Sequence, residues 1–121
     1  MKDTYYIIAL SFIPKIGPVM AKNLISYCGS AEAVFNQNKA QLIKIPGIGK
    51  TIAENIIKQK VFDKADAEMD FIKKYKIKAI SFLDKRYPQR LSFCLDAPLV
   101  LYQKGNTDLN QQKIISIVGT R

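Results

Sequence analysis

Apolar residues recur along the first part of the chain at helical spacing, in short blocks separated by glycine, proline and asparagine. The run Tyr5-Tyr6-Ile7-Ile8-Ala9-Leu10 predicts a buried first helix, capped by Asp3 or Thr4 and ended before Pro14. A second helix starts at Gly17-Pro18, with proline well placed in the first turn, and stops at Gly29. Ser30 caps a short third helix through about Asn36, and Asn36-Gln37-Asn38 reads as a turn. A fourth helix covers roughly Lys39 to Lys44 and a fifth runs from Gly49 to about Lys60. In the sixth, Asp63 lies at the start, and Phe62, Ala65, Met69 and Ile72 line one apolar face. After Ile77 the elements become short and β-like: Ala79 to Leu83, then Leu99 to Tyr102 closed by Lys104-Gly105-Asn106, then Ile114 to Val118 running into Gly119-Thr120-Arg121. Asp84-Lys85-Arg86-Tyr87-Pro88 reads as a turn, with Pro88 ending any regular element.

The fourth and fifth helices are joined by Ile45-Pro46-Gly47-Ile48-Gly49-Lys50-Thr51. Without a Cβ, Gly47 and Gly49 can turn sharply and take positive φ. Ile48 is expected to tuck inward and pin the hairpin. The first amides of the next helix then point outward without partners and, with the helix dipole, suit a phosphate. Lys50 adds a full charge at the mouth, with Lys44 nearby. This segment resembles the helix-hairpin-helix motif, by which proteins hold the DNA backbone. A second copy supports it, because Ile13 through Ile25 aligns with Ile45 through Ile57 at an offset of 32 residues. Pro14, Ile16, Gly17, Ala21 and Asn23 match Pro46, Ile48, Gly49, Ala53 and Asn55. Lys15 stands at the Gly47 position and Pro18, which has no N–H, at the Lys50 position. The second hairpin is therefore expected to be the better phosphate site. The candidate DNA-binding set is Lys15, Gly17, Lys44, Gly47, Ile48, Gly49, Lys50 and Thr51.

Charge agrees with an anionic partner. The 121 residues hold 19 Lys+Arg against 10 Asp+Glu, a net charge of +9, and lysines gather near the hairpins at 15, 22, 44, 50, 58 and 60. Binding by such a surface is salt-sensitive and reads no sequence.

Candidate catalytic chemistry is sparse. There is no histidine, which removes the usual general base and metal ligand. Cys28 and Cys94 fit no zinc spacing; both are expected to be buried thiols in a reducing cytoplasm. Asp63, Asp66, Glu68 and Asp70 are the densest carboxylates, and helical spacing puts Asp63, Asp66 and Asp70 on one solvated stripe in preference to a nuclease centre. No catalytic residue, metal or cofactor is assigned, and no apolar run approaches the length of a membrane span.

An apolar strand entering a glycine turn is how a nucleotide-type α/β domain opens. A mainly α fold follows: a tandem helix-hairpin-helix, SAM-like domain over residues 1–78, then over 79–121 a linker and the first strands of a truncated Rossmann-like domain. A tail docked on the helices is the alternative. Unpaired strand edges would favour self-association.

The order of segments carries a further resemblance. Tyr87-Pro88-Gln89-Arg90-Leu91, Asp96-Ala97-Pro98-Leu99-Val100-Leu101-Tyr102-Gln103-Lys104-Gly105-Asn106 and Ile117-Val118-Gly119-Thr120-Arg121, after a hairpin tandem, are similar to the DNA-processing protein A (DprA, or Smf) family. The resemblance implies a non-enzymatic bacterial cytoplasmic protein of natural transformation. Such a protein binds incoming single-stranded DNA and helps load a RecA-type recombinase on it. It implies that Arg121 contributes to a positive phosphate pocket. It implies no dinucleotide, since G-x-G-x-x-G is lacking. A protein-interaction module with little DNA binding of its own remains the second reading.

Overall fold

A computed structural model describes residues 2–105 and residue 110. The predicted strand over Ile114 to Val118 and the candidate Arg121 lie outside the described residues. Among the described residues the chain is mainly helical, with a small antiparallel sheet.

The first helix, α1 (Lys2–Ser11), starts just before the expected cap. Asp3 therefore lies in the first turn, where its carboxylate still suits the helix dipole. Four successive residues, Ile7 to Leu10, are buried, so α1 is enclosed on several sides. It contacts α2 (Pro18–Cys28), α3 (Ala31–Phe35) and α6 (Phe62–Lys74), and both strands of the sheet. Helix α4 (Lys39–Ile43) packs instead on α5 (Lys50–Ile57).

Local chemistry accounts for the boundaries. Gly29 ends α2 at φ 97°, with its N–H bonded to the Ile25 carbonyl. The Ser30 hydroxyl accepts the Ala33 N–H at 3.1 Å and starts α3. Asn38 and Gln41 form a reciprocal capping box on α4, at 2.8 and 3.1 Å. Helix α5 stops at Lys58, sooner than its pattern suggests, because the chain turns at once into α6. The Gln59 side chain accepts the Val61 N–H at 2.9 Å within that turn. On α6, Ala65 and Ile72 are buried and Phe62 and Met69 pack against the core, the expected apolar face.

Strand β1 (Lys78–Ser81) pairs antiparallel with β2 (Val100–Gln103), Ile80 opposite Leu101. The expected first strand reaches further, to Leu83. Pairing ends earlier because Asp84 N–H turns back to the Ser81 carbonyl at 2.9 Å, leaving Leu83 exposed. Arg86 then clamps Asp84 at 2.7 Å, and its guanidinium, with the Arg86 N–H, holds that carboxyl down at a pKa of about 2. A short helix, α7 (Gln89–Ser92), follows Pro88 where the sequence pattern indicates no element. Four residues are too few to show a period. The start of α7 is fixed from a distance, by the Asn110 side chain accepting the Gln89 N–H at 2.8 Å.

The sheet is not detached from the helices. Leu99 belongs to the same buried cluster as Ile8, Leu24 and Leu42, and Ala79, Phe82 and Val100 pack against that cluster. The family-like segments are tied together too: buried Tyr87 donates its hydroxyl to the Pro98 carbonyl at 2.6 Å. The cysteine expectation needs correction. Cys28 is half-buried, and burial pushes its thiol pKa up, but Cys94 is exposed. Its neighbours Phe93 and Leu95 are 86% and 83% exposed, so apolar flanks there do not mark a core.

Candidate nucleic-acid interface

Both hairpins follow one backbone path. Gly47 takes φ 86°, the left-handed turn that its missing Cβ makes easy. Lys15, its counterpart, takes φ 68° despite its side chain. The next residues, Ile48 and Ile16, are buried at 5% and 8% exposure. Each donates its N–H across the turn, Ile48 to Ile45 and Ile16 to Ile13. Gly49 and Gly17 then cap α5 and α2 with almost the same extended backbone, φ −92° and −90°. Replacing glycine by Lys15 has therefore not altered the course of the first hairpin.

The structure also divides the work among the candidate residues. Gly49 does not take positive φ, and a Cβ there would meet nothing within 4 Å. Its contribution is a bare surface over the helix start. Ile48 spends its amide inside the turn and its side chain in the core, so it supports the site from beneath and does not reach a ligand. The Lys50, Thr51 and Ile52 amides form the first turn of α5, and no side chain caps them. At α2, Pro18 removes one of the equivalent donors. By contrast, α3 and α4 close their starts with Ser30 and Asn38.

Charge sharpens the difference. Lys44 and Lys50 are exposed on either side of the second hairpin. Glu54, one turn along α5, could have neutralised Lys50, but it takes Lys39 at 2.8 Å. That hydrogen bond, with further pull from Lys39, Lys58 and Lys50, holds the Glu54 carboxyl below its ordinary pKa. The pair is widely solvated, which keeps its contribution to stability small. Its larger effect is to give Glu54 a closer partner than Lys50, which is exposed. This pair spans 15 residues and no local pattern announces it.

The first hairpin has different neighbours. Gly17 and Pro18 border a cleft of about 240 Å³ whose other side is Pro98, Leu99, Val100 and Tyr102. The Lys22 ammonium lies 5.6 Å from the Phe82 ring centre, so it is turned to the sheet side. Asn55 of α5 donates to the Pro14 carbonyl at 3.2 Å and ties the two units together.

The other candidates are structural. Tyr5, Tyr6, Phe35 and Phe62 form a ring cluster with centroids 5.1 to 6.1 Å apart. Tyr5 donates to Asp66 at 2.8 Å, and partial burial with that bond pushes its phenol up to about 12. Among the described residues no group of three or more His, Cys, Asp or Glu is arranged to hold a metal. Among the same residues no helix is long and apolar enough to cross a membrane.

Comparison with known proteins agrees with this geometry. Residues 7–59 match the SAM-like helix-hairpin-helix tandem, which covers both hairpins and defines the class. Residues 78–121 match DNA recombination-mediator protein A. With the tandem ahead of that match, the chain is similar to a helix-hairpin-helix tandem over its N-terminal part and to the DNA recombination-mediator protein A (DprA) family over its C-terminal part. The chain is also similar to UvrABC system protein C of Wolbachia sp. subsp. Drosophila simulans (strain wRi), 41% identical over 58 residues. That segment is 47% of this chain and 10% of the relative. The same protein of Wolbachia pipientis wMel is 40% identical over the same length and shares. The chain thus spans about a tenth of the curated relatives it matches. No solved structure matches it.

Proposed function

We propose that this chain is a non-enzymatic accessory that grips DNA by its phosphates, single-stranded DNA above all, in the cytoplasm. One observation carries the reading: the exposed, uncapped start of α5 beneath Gly47-Ile48-Gly49, with Lys50 at its mouth. A phosphate placed there accepts backbone N–H bonds and meets both a helix dipole and an ammonium group. Lys44 supplies a second cation, and Lys15 extends the positive surface to the first hairpin. None of these groups reads a base, so binding is independent of sequence. Similarity to the DprA family supports extending the role to natural transformation and to assisting a RecA-type recombinase onto the bound strand.

Titration of labelled single-stranded and duplex oligonucleotides at two salt concentrations tests this, with Lys50→Glu beside the parent. The expected result is salt-sensitive binding, tighter for the single strand, that weakens in the variant. Equal binding by parent and Lys50→Glu would remove the second hairpin from the site.

The second reading, a protein-interaction module, has its own observation. Leu83, Phe93 and Leu95 are large, apolar and exposed. Absence of DNA binding at low salt would favour it.

A further inference from the structure

A separate basic cleft lies where the first hairpin meets the end of α5 and the start of α6. It has a volume of about 340 Å³ and is lined by Lys58, Lys60 and Lys64, with Asn55 beside them and Phe12 and Val61 on its apolar side. All three lysines are exposed. None is in a salt bridge among the described residues. Asp63, next to Lys60, lines a neighbouring depression and not this cleft.

Helix energetics explains only part of this cluster. Lys58 caps the end of α5, where a cation is favourable. Lys64 is in the first turn of α6, where a cation opposes the dipole. Lys60 belongs to neither helix. Three like charges around one cavity repel one another, and an anion in the cavity relieves that repulsion. Asn55 spends one N–H on the Pro14 carbonyl, which leaves its second N–H for a ligand. The same bond ties the Asn55 side of the cleft to the first hairpin loop.

We infer that this cleft is a second phosphodiester site, which takes the backbone of a nucleic-acid strand that also contacts the hairpin surface. The inference rests on the DNA-binding reading above and adds a second set of contacts to it. It gives the first hairpin a use that its missing amide does not: Pro14 and Asn55 position the cleft, and the lysines hold the strand.

The test uses the full chain and a labelled single-stranded oligonucleotide at several salt concentrations. The variants are Lys60→Glu with Lys64→Glu, the milder Lys60→Gln with Lys64→Gln, the hairpin variant Lys50→Glu, and Lys85→Glu as a remote control. All the altered side chains are exposed, and circular dichroism checks folding. The charge-reversed cleft should bind about tenfold more weakly, with a salt slope lower by about 0.7 for each phosphate lost, and the glutamine pair should fall between. Lys85→Glu should bind like the parent. Loss in Lys50→Glu with none in the cleft variants overturns the inference and leaves the hairpin reading standing. Loss in the cleft variants alone does the reverse. Equal loss in Lys85→Glu reduces both to general charge, and a parent that binds no strand ends both. Inorganic pyrophosphate, followed at the Asn55 side-chain amide by NMR, should compete weakly. Displacement of the strand at equal concentration would mean a site for small polyphosphates and would overturn the strand assignment.

Discussion

The two hairpins share a backbone and differ in what they expose. Lys15 and Gly47 both turn left-handed, Ile16 and Ile48 are both buried, and Gly17 and Gly49 both cap a helix in extended conformation. Yet the second leads into an uncapped helix start with Lys50 exposed, and the first begins with Pro18 beside Pro98, Leu99 and β2. The shape of a helix-hairpin-helix unit therefore depends on its buried isoleucine and its turn. The ability to hold a phosphate depends on the two or three residues after the turn, and on what else has packed nearby.

The largest expected effect tests the shared part. Ile48→Ala and Ile16→Ala should each destabilise the chain by about 2–4 kcal/mol, read by urea denaturation. A cost confined to one would show that the hairpins are not equivalent in the core. Lys50→Glu against Lys15→Glu tests the unshared part. The first should weaken single-strand binding about tenfold, the second clearly less, with salt titration as the measurement. Gly47→Ala should cost about 1–2 kcal/mol, because its φ of 86° strains any Cβ while the space around it is empty. Lys15→Gly should stabilise by up to about 1 kcal/mol for the same reason. Combining Lys15→Gly with Pro18→Lys would rebuild the second hairpin's sequence in the first. Little gain in DNA affinity is expected, since the strand opposite Gly17 and Pro18 stays in place. A strong gain would make the proline the sole difference.

The smallest effect lies outside the hairpins. Asp84 has a folded-state pKa of about 2, below its ordinary 3.8. Its contribution is thus complete above about pH 4 and lost as pH falls through about 2. Arg86 is largely solvated, so the loss is under about 1 kcal/mol. Asp84→Asn should abolish that part of the acid dependence, measured by chemical denaturation from pH 4.5 to 2.5.

Much of this architecture was legible from the residues alone. The cap at Ser30, the turn at Asn36 to Asn38, the stop at Gly29 and the face of α6 depend on neighbours within one helical turn, so local patterns reveal them. The buried isoleucine of each hairpin showed through the internal repeat. Other features depend on distant partners. Helix α7 is set by Asn110, the pairing of Glu54 by Lys39, and the cleft beside the first hairpin by Asn55 and Pro14. Lys15 shows a further limit: it takes the left-handed turn at φ 68° beside the buried Ile16, and residue type reports only what a turn prefers.

Leu99 has a consequence for how the chain is made. It fills a place in the core formed by α1 to α6, yet it is translated well after them. While the polypeptide leaves the ribosome, the helices lack the apolar side chain that covers this part of the core beside Ile16 until the Pro98–Val100 segment follows. In that interval the nascent helical bundle offers a strand-shaped vacancy, and any extended apolar segment nearby competes for it.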